Sequence, residues 1–114
     1  MAFSEHQADR IRQRLTKHNL TEEKKMMGGL IFMVNHHMCV GLDIDKKTGL
    51  DRLMVRVGKG NHDQLIFKKG SRLMDFTGSV MRGFLFIDPD GFDTDADLDF
   101  WIAKALEFNT QLNN

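Results

Sequence analysis

The chain has 114 residues, 41% of them hydrophobic and 28% charged, and its sixteen basic residues are balanced by sixteen acidic ones. That length and apolar share suit a single domain over residues 1–114 with one core, and exclude a disordered chain. A formal net charge of zero lacks the basic surplus from which duplex binding draws its affinity, so no direct nucleic-acid binding is expected. The lone cysteine, Cys39, has no partner for an intramolecular disulfide, and the opening MAFSEHQADRIRQRL is too polar for a secretory signal, so a cytoplasmic protein is expected. The longest uninterrupted apolar run, Leu30 to Val34, falls far short of the roughly 20 residues of a membrane helix.

Ala8, Ile11, Leu15 and His18 recur at helical spacing and predict a surface helix from Ser4 to about His18. Ser4 stands as its N-cap, with Gln7 three residues on as in a capping box. Leu30 to Val34 reads as a strand apolar on both faces, Asn35-His36-His37 as a turn, and Met38 to Ile44 as the returning strand. The preceding Gly28-Gly29 pair lets the backbone bend or approach a neighbour closely. Lys46 to Gly49 is a second turn, and Leu53, Val55 and Val57 then alternate with Met54 and Arg56 as a third strand, which sets Arg56 on the opposite face. Asn61 is placed to cap a short helix from His62 to about Lys69, with Gly70 at its C-terminal end.

The segment Arg72 to Gly91 organises the rest. Its apolar runs, Leu73-Met74 and Phe84 to Ile87, predict an antiparallel strand pair that Asp88-Pro89-Asp90-Gly91 closes. Asp93 or Thr94 caps a last helix, along which Leu98, Trp101, Ile102, Ala105, Phe108 and Leu112 recur at three and four. The order is helix, three strands, short helix, two strands, long helix: an α+β two-layer fold with an antiparallel sheet of about five strands.

The runs EKKMMGGLIFMVN, LMVRVG, RLMDFTGSVMRG, FIDPDG and DFWIAKALEFNTQL resemble, in this order from about Glu23 to Leu112, the N-terminal domain of the TfoX/Sxy family of bacterial competence regulators. Met74-Asp75-Phe76-Thr77-Gly78 and Leu53 to Gly58 are the most specific pieces. The resemblance implies an α+β sandwich with the same order of elements. Met27 stands where the family usually has Phe, and the charged stretch Asp43 to Arg52 looks longer than the usual connection, as if projecting into solvent. Full-length regulators carry a second, C-terminal domain; ending soon after its last helix, this chain resembles the stand-alone members, and a role in competence rests on the resemblance alone.

The residues carry few chemical motifs. Cys39, between Met38 and Val40 in a strand, reads as a buried, inert thiol rather than a nucleophile. His36-His37 and His62 lack the ligand spacing of a zinc site, and no metal or cofactor is expected. The acids from Asp88 to Asp99 fail the calcium-loop pattern and read as a turn followed by a helix N-terminus. Gly58-Lys59-Gly60 is not a phosphate loop. Lys24, Lys25, Arg56, Asp75 and Arg82 are charges embedded in the family-like runs, with Met26, Gly28, Gly29 and Met54 beside them. These nine are the binding or interaction candidates. The leading expectation is a non-enzymatic interaction module, homodimeric and with a further unidentified protein partner, that uses the Met-rich sheet face or edge near Arg56 and Lys24 to Gly29. The alternative is an enzyme or ligand-binding protein whose Lys25, Arg56 and Arg82 converge on a small anion.

Overall fold

A computed structural model describes residues 3–26, 28–76 and 79–112. Met27 and the pair Thr77-Gly78 lie outside the described residues, as does the side chain of Asp75. The elements are helix α1 (Glu5–Leu15), strands β1 (Leu20–Met26), β2 (Gly29–Val34), β3 (His37–Ile44) and β4 (Asp51–Arg56), helix α2 (Lys59–Leu65), strands β5 (Ser71–Phe76) and β6 (Ser79–Ile87), and helix α3 (Asp95–Leu112). The six strands form one antiparallel sheet in the order β1-β2-β3-β4-β6-β5. The expected α+β plan therefore stands, with six strands in place of five and four before α2 in place of three.

The added strand is β1. Its Thr21-Glu22-Glu23-Lys24-Lys25 shows no apolar alternation because it is an edge strand, paired only with β2, and charge on an edge discourages pairing with other chains. Glu23 is fixed by Arg12 of α1 at 2.5 Å, which raises the Arg12 pKa further above its already basic value. Helix α2 begins three residues earlier than expected and ends at Leu65. Gly58, not Asn61, precedes it, and Lys68 to Gly70 form a turn into β5 instead of a last helical turn.

All three helices pack on one face of the sheet. Ala8, Ile11 and Leu15 from α1, Leu65 from α2 and the Leu98-Trp101-Ile102-Ala105 stripe of α3 share a core with Phe32, Val40, Leu53, Val55, Leu85 and Ile87. Burying each of the larger aliphatic or phenylalanine side chains contributes about 1.5–3 kcal/mol, so this layer is the main apolar core. The Ser4 and Thr94 hydroxyls accept from the amides of Gln7 and Asp97, which caps α1 and α3. Arg10 and Arg14 of α1 reach the start of α3. Arg10 donates to the Phe92 and Asp93 carbonyls, and Arg14 pairs with Asp95 and Asp99, so the acids beyond Asp93 serve helix docking.

Two backbone devices close the ends. Asn35 and His36 take positive φ in the two-residue turn between β2 and β3, and Asn19, Asn35 and Asn109 form a side-chain ladder that ends on the Val34 carbonyl. At the opposite end Gly70, φ +82°, lies so close to Gly91 that a Cβ would sit 2.7 Å from the Gly91 Cα. The Gly91 carbonyl also accepts from the buried Trp101 indole at 3.1 Å, which locks the turn after β6 onto α3.

Candidate functional site

Directly opposed residues on paired strands share a face, so the register assigns each candidate to a side of the sheet. Lys24, Ile31, Gly41, Met54, Phe86 and Arg72 form one row across the face that carries no helix. Arg56, opposite Phe84, lies on the same face as Met54 at the end of β4. Lys25 is opposite Leu30, whose side chain belongs to the helix-covered core, so Lys25 is on the other face. Strands β2 and β3 also separate it from β4. The expected convergence of Lys25, Arg56 and Arg82 does not form, because an odd offset along the strand turned Lys25 away.

Gly28 bends the chain between β1 and β2 at φ +77°, and Gly29 meets β3 so closely that a Cβ would lie 2.3 Å from the Leu42 carbonyl oxygen. Met26, Gly29, Gly41 and Met54 with Ile31, Met74 and Phe86 line a cavity of about 20 Å³, roughly the room for one water. Asp75 is opposite Val80 in the β5–β6 ladder.

The helix-free face has its own apolar cluster. Ile31, Met54, Met74 and Phe86 are only 1–5% exposed, and Met33, Met38, Met81 and Phe84 pack half-buried against them. All eight are strand residues. The Arg52 guanidinium stacks 3.7 Å over the Phe86 ring and completes the cover on one side.

That arginine belongs to a charged network that the sequence reading did not single out. Arg52 holds Asp43 through two hydrogen bonds of 3.0 and 2.7 Å, and Arg72 bridges Asp45 and Asp88 at 3.0 and 2.7 Å. Asp45, 6% exposed, also accepts from the Lys47 amide at 2.9 Å. That amide, and after it the Arg72 and Arg52 cations, hold the Asp45 carboxyl below the ordinary carboxylate range, against the upward push of burial. The ends of the stretch Asp43 to Arg52 are thus tied down, while Lys46 to Leu50 between them lie in solvent. The legible signal was the alternation of acid and arginine across a predicted turn.

At the other end of the face is a basic cleft of about 300 Å³, lined by Arg56, Gly58, Lys59, Arg82, Gly83, Phe84 and Phe108. Arg56 and Arg82 meet here, joined by Lys59, which the sequence offered only within a Gly58-Lys59-Gly60 stretch that is not a phosphate loop. Gly58 makes the cleft's floor possible. Its φ of +85° and ψ of 153° suit glycine, and a Cβ would lie 2.4 Å from the Phe108 ring. Both Val57 and Gly58 amides donate to the Gly83 carbonyl, at 2.8 and 3.1 Å, which joins β4 to β6 beneath the cleft.

Cys39 is buried, and burial pushes its thiol up to about 12 although Arg56 pulls the other way; a thiol in that state is no nucleophile at neutral pH. His62 is buried on α2, whereas His36 and His37 sit at the β2–β3 turn. Among the described residues no group of three or more His, Cys, Asp or Glu is placed to hold a metal ion, and no helix is long and apolar enough to cross a membrane.

Fold and site together define a small α+β domain with a methionine-rich open sheet face and a basic cleft at one end of it. The chain belongs to the TfoX N-terminal domain family, which matches residues 13–109. A crystal structure of a protein from Pseudomonas syringae is similar over 92% of this chain and 97% of its own length, with a TM-score of 0.61 and 12% identity, a likeness of fold. No curated protein matches the chain.

Proposed function

We propose that the chain is a non-enzymatic, regulatory-type interaction module that pairs with a second copy of itself through the helix-free face of the sheet. The observation that carries this reading is the eight-residue apolar cluster of strand residues on that face, half of it still reachable by solvent. Methionine side chains repack at little cost, which suits a contact surface, and the charges at the rim, among them Lys24, Arg56 and Arg82, set its orientation. A second copy is the favoured occupant because a chain of zero formal charge does not repel itself. The buried, protonated thiol supports a role other than nucleophilic catalysis. Membership of the family favours regulation of the competence type, carried out through protein contacts and not by direct duplex binding, given the charge balance.

Light scattering over a concentration series tests the reading. The expected mass is twice 13.1 kDa, and Met38→Glu, on the rim of the cluster, returns the chain to one. A mass of one chain at high micromolar concentration overturns it.

A further inference from the structure

The cleft beside Arg56 has a composition that assembly does not require. Three cations from three elements, Arg56 of β4, Lys59 of α2 and Arg82 of β6, line one concavity, and among the described residues no carboxylate lines it. Among the described residues Arg56 makes no ion pair or hydrogen bond and Lys59 makes no ion pair, while Arg82 has only an exposed contact with Asp63 at 4.0 Å. Cations gathered on a concave wall with little acidic compensation form an electrostatic well for an anion.

The wall also has an apolar part. The Arg56 guanidinium carbon sits 5.4 Å from the centre of the Phe84 ring and 5.5 Å from that of Phe108. Two flanking rings hold the guanidinium in place by cation–π attraction and leave its donors for an outside acceptor. Other arginines in this protein are bound to acids. Arg52, Arg72 and Arg12 each make two or more hydrogen bonds to carboxylates. Arg56 is flanked by two rings and, among the described residues, pairs with no acid.

We propose that this cleft binds a small organic anion whose phosphate or carboxylate is carried on a planar ring. The anionic group would sit on the donors of Arg56 and Arg82 with Lys59 beside them, and the ring would lie against Phe84 and Phe108. A volume of about 300 Å³ is at the small end of ligand pockets and admits one ring with one charged group. The inference goes beyond the assembly reading, with which it shares Arg56, Arg82 and Phe84, and its readout is ligand-induced shifts, not mass.

The test is an amide-resolved NMR titration of the whole chain with three probes: phenyl phosphate, benzoate and inorganic phosphate. The expected result is saturable shifts centred on Gly58 and Gly83, with one of the ring-borne anions binding at least about tenfold tighter than inorganic phosphate. Which ring anion binds tighter decides between a phosphate and a carboxylate ligand. Arg56→Gln abolishes the site, Arg82→Gln weakens it about tenfold, and Lys46→Gln, in the exposed tip between β3 and β4, leaves it unchanged. If Arg56→Gln loses its dispersed spectrum, Arg82→Gln, altered at an exposed side chain, carries the test. Equal affinity for inorganic phosphate and both ring anions, or no shift at Gly58 and Gly83 up to about 10 mM of every probe, overturns the proposal.

Discussion

Gly58 carries more of this molecule than its size suggests. It joins β4 to α2 at a positive φ, with its α-carbon against Phe108, and so lets α3 close over the end of the sheet and form one wall of the cleft. Gly58→Ala adds a methyl where the ring of Phe108 already sits, in a backbone region that L residues avoid. The expected loss is about 1–3 kcal/mol, read as a lower urea midpoint at unchanged slope. An unchanged midpoint would mean that Phe108 moves freely, and the cleft wall with it. At the same scale the sequence marked Arg56 and Arg82 but not Lys59. A lysine between two glycines looks like any loop charge until the fold turns it toward two arginines.

Among the elements, α3 is fixed at both ends by polar contacts inside an apolar stripe. Its N-terminal end takes Arg10 and Arg14 from α1, and its C-terminal end uses Asn109, which donates to the Val34 carbonyl at 2.9 Å and accepts from Asn35 at 2.8 Å. Asn109→Ala leaves a buried carbonyl and a side-chain amide without these partners, for an expected loss of about 2–3 kcal/mol in denaturant unfolding. Asp95→Ala, whose carboxylate is largely exposed, is the control and should cost under about 1 kcal/mol. Similar losses for both would mean that the asparagine ladder adds nothing beyond ordinary surface contacts. The stripe of α3 was legible because burial imposes a period on apolar residues. Asn109 lies on that stripe as a polar residue at a core position, and nothing local says that its partner is a turn 74 residues away.

For the whole molecule, acid stability gathers on Asp45. Its buried carboxylate ties the β3–β4 connection to β5 and, through Arg72 and Asp88, to the end of β6. The folded pKa lies below the ordinary value of about 3.9, so ionisation favours the native state. This stabilisation is complete above that ordinary value and is lost as pH falls through the lower folded one. Unfolding midpoints measured from neutral pH downward should therefore fall below about pH 4, and Asp45→Asn should be less stable at neutral pH and lose less on acidification. A variant with the wild-type acid slope would place the sensitive group elsewhere.

The sequence by itself determined the helices, the strands that bury apolar side chains and their order, because burial writes a period of two or of three to four into the chain. The helix from Ser4, the strands Leu30 to Val34 and Leu53 to Val57, and the last helix were readable on that ground and lie within a few residues of α1, β2, β4 and α3. Only the tertiary structure decided the rest. Strand β1 exists because β2 offers it a partner, although its own residues are charged. Lys25 leaves the company of Arg56 because a strand alternates sides at each residue and the two sit three strands apart. The cleft joins Arg56, Lys59, Arg82 and Phe108 across β4, α2, β6 and α3, and a site shared among distant segments has no local period to betray it.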